Sequence, residues 1–175
     1  MPALFAPSDE LVDILEQQKP VVVIGPRAGS KTPNFTIPDA LPPGNLRRLI
    51  DIKIRRVESL RPGVSINAAG ANNGAQFNSW REFVVPGEAA NVGVTSGDGH
   101  PMVISQDKTI YVAGWANPQL LDTVMAIVLT HNAPDSLDRC LQAIGEQSRR
   151  PDATLVVANA REPPAPVAHF LRDQR

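Results

Sequence analysis

Cysteine occurs once in 175 residues, at Cys140, so no disulfide can form within the chain, and this usage fits a reducing compartment. Aromatic residues make up only 5%, which leaves the core mainly to aliphatic side chains. The histidines, His100, His131 and His169, are too far apart to share a metal-ligand spacing. No apolar run approaches the ~18 residues of a membrane span. The opening MPALFAPSDELVD has neither the basic start nor the apolar stretch of a secretory signal. A cytoplasmic location without membrane contact is expected. Charge of one sign is lacking too: 17 Lys and Arg against 18 Asp and Glu give −1, spread along the chain, with no basic patch for nucleic acid.

Hydrophobic residues reach 42%, enough for a packed core. The length suits one ordinary domain and falls short of a (β/α)₈ barrel, which needs about 250 residues. Ser8 predicts an N-cap, with Asp9 and Glu10 suited to the helix dipole, Leu11, Val12, Ile14 and Leu15 on one apolar face, and Pro20 as the stop. Val21 to Ile24, bounded by Pro20 and Gly25, predicts a strand buried on both faces. A Gly/Pro-rich ordered loop follows, then a short helical face of Leu46, Leu49 and Ile50 with Arg47 and Arg48 off it. Ile52 and Ile54 alternate with Lys53 and Arg55, a strand with one exposed face that leads to a turn at Arg61-Pro62-Gly63. Residues 65–75, small and polar, predict a flexible loop. Phe77, Trp80, Phe83 and Val84 predict a strand, and Met102–Ser105 with Thr109–Ala113 a hairpin about Gln106-Asp107-Lys108.

The phrases GPRAGSKT, LPPG and RVESLRPG, then Trp80-Arg81-Glu82, Asp98-Gly99-His100-Pro101 and the run Ile110 to Trp115, stand in one order over residues 1–123. In that order they resemble the central non-catalytic domain of the β-galactosidases of glycoside hydrolase family 42. The resemblance implies an amidotransferase-like (flavodoxin-like) α/β fold that follows a catalytic barrel and helps hold a trimer together. Two strands that open the family's domain, and the barrel with its carboxylate pair, have no counterpart in these residues. Retaining glycosidases hold that pair about 5–5.5 Å apart on a rigid scaffold. Glu58, Glu82 and Glu88, flanked by charge or glycine, read as solvated surface acids, so no catalytic residue is expected.

Gly25-Pro26-Arg27-Ala28-Gly29-Ser30 lies where amidotransferase-like folds place a nucleophile turn, but it offers Arg27 and no cysteine. Ser30-Lys31 lacks the Walker spacing. Gly25 and Gly29 read as turn glycines, and Arg27 and Lys31 as residues that pair with a neighbour or line an interface. Trp80, Phe83 and Trp115 are the candidate interface anchors. No metal or other cofactor is expected.

Residues 125–160 carry a second resemblance, to the opening of a family 2 glycosyltransferase: a strand, Thr130-His131-Asn132, a helix through Leu137, Cys140, Leu141 and Ile144, and a second strand. It implies nucleotide-sugar contacts from Thr130, His131, Asn132 and Asn159. The base-holding Asp of that family is here Ala158, and no Asp-x-Asp metal motif follows. The two resemblances conflict over Met125–Leu129, which the second needs as a strand. Asn117 as N-cap, Pro118 at the first helical position and the face Leu120, Leu121, Val124, Met125, Val128, Leu129 favour a helix.

The expected architecture is therefore α/β: a partial amidotransferase-like sheet with flanking helices and a β-hairpin, then a short β-α-β-like C-terminal piece. The expected divisions are 1–123, 124–161 and a flexible, proline-rich tail at 162–175. The expected function is a non-catalytic trimerisation scaffold of a β-galactosidase-like glycoside hydrolase. Its expected partners are copies of itself and the parent's catalytic barrel. A nucleotide-sugar glycosyltransferase fragment is the alternative.

Overall fold

A computed structural model describes residues 5–70 and 74–130. The chain divides into two units, residues 1–121 and 122–175, and of the second only the end of one helix lies among the described residues. No helix among the described residues is long and apolar enough to cross a membrane.

Helix α1 spans Asp9–Gln18 and opens as its sequence dictates: the Ser8 hydroxyl accepts the Leu11 N–H at 3.2 Å. It closes on Lys19, whose left-handed φ of 46° lets its N–H reach the Leu15 carbonyl at 2.9 Å. A short 3₁₀ helix, Gly44–Arg48, lies against α1. Arg48 binds Asp13 at 2.7 Å and also Glu16, while Asn45 Nδ2 donates to the Pro7 carbonyl and to Asp9, each at 2.9 Å.

The first sheet contains β1 (Val22–Ile24), β5 (Asn91–Thr95), β6 (Pro101–Gln106) and β7 (Thr109–Val112), in the order β1-β7-β6-β5. Strand β1 runs parallel to β7, and the other pairs are antiparallel. The β6–β7 hairpin turns at Asp107, with φ 49°, and carries the densest core: Met102, Val103, Ile104, Ile110 and Tyr111 are almost wholly buried. Strand β1 departs from the expected double burial. It has one strand neighbour among the described residues, so only Ile24 is buried, and Val21 beside it is exposed.

The second sheet is built on the long strand β4 (Gln76–Pro86), with β2 (Ile52–Ser59), β3 (Ser65–Asn67) and β8 (Gly114–Ala116) all antiparallel to it. The expected flexible loop at 65–75 is thus part strand. Its small side chains do not prevent the backbone of Ser65–Asn67 from pairing with Gln76–Asn78, and Ala68 N–H binds the Ala75 carbonyl at 2.9 Å. Gly114 is required where β8 meets β4, since a Cβ there would lie 2.6 Å from the Phe77 ring.

Helix α2, Pro118–Thr130, opens on Asn117, whose Oδ1 accepts from Leu120 N at 3.0 Å and Gln76 N at 3.1 Å. Its buried residues Leu120, Val124 and Ile127 follow helical spacing, and the helix runs through the segment that the transferase likeness needs as a strand. Leu121 and Met125, expected on its apolar face, are exposed.

Candidate functional site at the Gly25–Ser30 turn

Strands β1 and β7 end together, and the turn after β1 closes over Glu82 of β4. Glu82 was expected at the surface, yet it is 3% exposed. Its Oε1 accepts the Arg27 backbone N–H at 2.9 Å and the Trp80 indole N–H at 3.3 Å, and its Oε2 accepts the Tyr111 hydroxyl at 2.5 Å. Burial pushes the Glu82 carboxyl above its usual range, against the opposing pull of these donors. Burial, together with the facing carboxylate, raises the Tyr111 phenol as well. The polar network lies in the core because each of its members is satisfied.

Arg27 sits in this turn with φ 67°, an arrangement that the Glu82 carboxylate and the Ser30 hydroxyl (2.6 Å from the Arg27 carbonyl) hold in place. Its guanidinium lies 4.9 Å from the centre of the Phe5 ring and 5.2 Å from that of Trp80. A nucleophile turn would need a thiol or hydroxyl here, and a guanidinium that stays protonated cannot attack a carbonyl. The glycines divide. Gly29, with φ 63°, is irreplaceable because a Cβ would fall 1.9 Å from the Pro43 carbonyl oxygen, whereas Gly25 faces open space with no left-handed φ. The GPRAG and LPPG phrases are thus two loops in backbone contact.

A second polar cluster surrounds Phe83. Arg81 binds Glu58 and Asp98, each at 2.6 Å, and its guanidinium lies 4.5 Å from the Phe83 ring centre. Arg56 lies 3.8 Å from that centre, and His100 meets the ring edge-on at 4.7 Å. The Ser96 hydroxyl and Arg81 hold the Asp98 carboxyl down to about 2. Phe83 is consequently covered, which removes it as an open interface anchor. Trp80 and Trp115 are half-buried. Glu58 is part-exposed and paired, and Glu88 is exposed. Among the described residues no three His, Cys, Asp or Glu come together as metal ligands. Thr130 is the last residue of α2, and His131, Asn132 and Asn159 lie outside the described residues, as do Cys140 and the remainder of the transferase-like segment.

The sequence pattern of the family described as "Beta-galactosidase trimerisation domain" matches residues 2–133. The chain belongs to this family. It is 34% identical over 126 residues to the β-galactosidase BgaA of Thermus sp, covering 72% of this chain and 19% of that protein. It is 35% identical over 127 residues to a β-galactosidase of Thermus thermophilus, with the same two shares, 72% and 19%. A crystal structure of β-galactosidase from the psychrophilic Marinomonas ef1 superposes with a TM-score of 0.66 at 26% identity, covering 73% of this chain and 19% of that one. The chain therefore spans about one fifth of the length of these relatives.

The match is to a trimerisation domain, and the buried Glu82 pins the turn that bears Arg27. Sequence reasoning missed Glu82, Tyr111 and Arg81. Strand parity gave no signal for Glu82, because residues 82–84 are all buried and the alternation is lost there.

Proposed function

We propose that this chain holds subunits of a β-galactosidase-like glycoside hydrolase together, in the cytoplasm, and contributes no catalytic group of its own. The parent enzyme would hydrolyse terminal β-galactosides with a barrel that this domain packs against. The observation that carries the reading is the family match over residues 2–133, set beside a span of only 19% of the relatives. The domain comprises residues 1–123, with Trp80 and Trp115 as its half-exposed aromatic anchors. The lone Cys140 supports the cytoplasmic placement.

The test is turnover. Purified chain should leave a chromogenic β-galactoside intact over hours. Hydrolysis that disappears in Glu82→Gln would show that the buried glutamate is a catalytic group and would end the scaffold reading.

A further inference from the structure

We infer that the Gly25–Ser30 turn is a proton-operated latch, closed over Glu82 while that carboxyl is neutral and loosened when it ionises, so that pH sets how firmly Arg27 and Trp80 are held. The latch belongs to a single chain and needs no assembly.

Glu82 stands where both sheets and the turn meet. Its backbone N–H binds the Ala113 carbonyl at 2.7 Å, and its carboxyl is reached by Tyr111 from β7 and by Trp80 from β4 itself. Those two donors sit on strands. Arg27 sits in a turn, so of the three donors its N–H is the one that a local movement can withdraw. The Arg27 backbone has a left-handed φ of 67°, which disfavours any residue but glycine, and it persists because Glu82 binds its N–H and Ser30 its carbonyl.

The charges around the carboxyl give its ionised form little support. From the turn, the Arg27 guanidinium attracts it, but this is the smallest of the influences that lower the carboxyl, and the cation lies over the Phe5 and Trp80 rings. From β7 comes the Tyr111 phenol, itself raised by burial and the facing carboxylate. On β2, Val57 lies opposite Glu82, while Arg56 and Glu58 belong to the Phe83 cluster. Neither β6 nor β8 carries a charged residue. Burial outweighs the donors and holds the carboxyl above its usual range.

A neutral Glu82 keeps the same partners. With its proton on Oε2, shared with the Tyr111 oxygen at 2.5 Å, Oε1 still accepts from Arg27 and Trp80. An ionised Glu82 keeps the turn closed only by keeping a charge out of water, and opening the turn hydrates it. The open population therefore rises with pH, by at most about tenfold per unit. The movement passes along the loop, because Gly29 backs onto the Pro43 carbonyl and the Lys31 N–H holds the Phe5 carbonyl at 3.0 Å. Trp80, one of the aromatic anchors proposed above, loses the Arg27 guanidinium from its face.

Amide hydrogen exchange of the full chain, followed by NMR from about pH 5 to about pH 9, tests the latch. The Arg27 N–H reports the bond to Glu82. The Ala113 N–H, which donates to the Met102 carbonyl at 2.9 Å beside the buried hairpin, reports the whole fold. Protection is taken relative to an unstructured chain at the same pH. Arg27 should be at least about tenfold less protected than Ala113, and its protection should fall as pH rises, by up to about tenfold per unit. In Glu82→Gln, which cannot ionise, it should not change with pH. Arg27 protection that stays flat or rises with pH in wild type, that equals the protection of Ala113, or that falls as steeply in Glu82→Gln overturns the inference. If Glu82→Gln does not fold, the two wild-type criteria decide.

Discussion

Replacing Glu82 tests whether the turn bearing Arg27 is pinned from below as described. In Glu82→Leu the Arg27 N–H and the Tyr111 hydroxyl, both facing the interior, lose their acceptor. At about 1–3 kcal/mol per unsatisfied buried donor the gross cost is about 2–6 kcal/mol, and relief from burying a charge brings it to about 2–4 kcal/mol. Glu82→Gln keeps one acceptor oxygen and should lose about 1–3 kcal/mol. The pH dependence separates the two effects. Burial raises the folded carboxyl above its unfolded value near 4.5, so the folded chain binds the proton more tightly. Stability from this group is then fully present below pH about 4.5 and is lost as pH rises through the folded value, with a slope of at most about 1.4 kcal/mol per pH unit. Urea unfolding followed by tryptophan fluorescence, which reports on Trp80 beside the carboxylate, should show the gap between wild type and Glu82→Gln narrowing as pH rises from 4.5. A gap that widens with pH would mean that the three donors outweigh burial and would refute the reasoning.

Gly29→Ala should destabilise by more than about 2 kcal/mol, read as a shift in urea midpoint, because a left-handed φ alone costs about 1–2 kcal/mol and the new Cβ meets the Pro43 carbonyl. Asn117→Ala should cost about 1–2 kcal/mol in the same assay, since it removes a helix cap that also accepts from Gln76. Asp98→Asn acts at the acid end. The contribution of Asp98 is present above its unfolded value of 3.8 and is lost as pH falls through about 2, and a side chain 45% exposed limits it to under about 1 kcal/mol. The variant should flatten the acid limb of the stability curve by that amount.

Features whose causes are local were legible in the sequence. Ser8 with Pro20, and Asn117 with Pro118, mark helix ends because caps act within one turn. The β6–β7 hairpin is announced by two apolar runs about a polar turn, which closes on the two residues Asp107 and Lys108. The helical period read from Leu120 and Val124, with Asn117 and Pro118 at its start, held over Met125–Leu129, which the transferase likeness needed as a strand, although Leu121 and Met125 of that face are exposed. Features that depend on distant partners were less legible. Glu82 takes its character from Tyr111, 29 residues on, and Arg27, 55 residues back, while its neighbour Arg81 made it resemble a surface acid. Strand β3 is built from small residues whose pairing resides in the backbone alone. The half-exposure of β1 follows from its having one strand neighbour among the described residues, and composition records no such pairing.

The central claim is that this chain assembles subunits. Native mass spectrometry of the purified chain, over roughly 1–100 µM where weak contacts register, tests it most directly. The account predicts a species of three chain masses that grows with concentration. A single-chain mass across the whole range would contradict it.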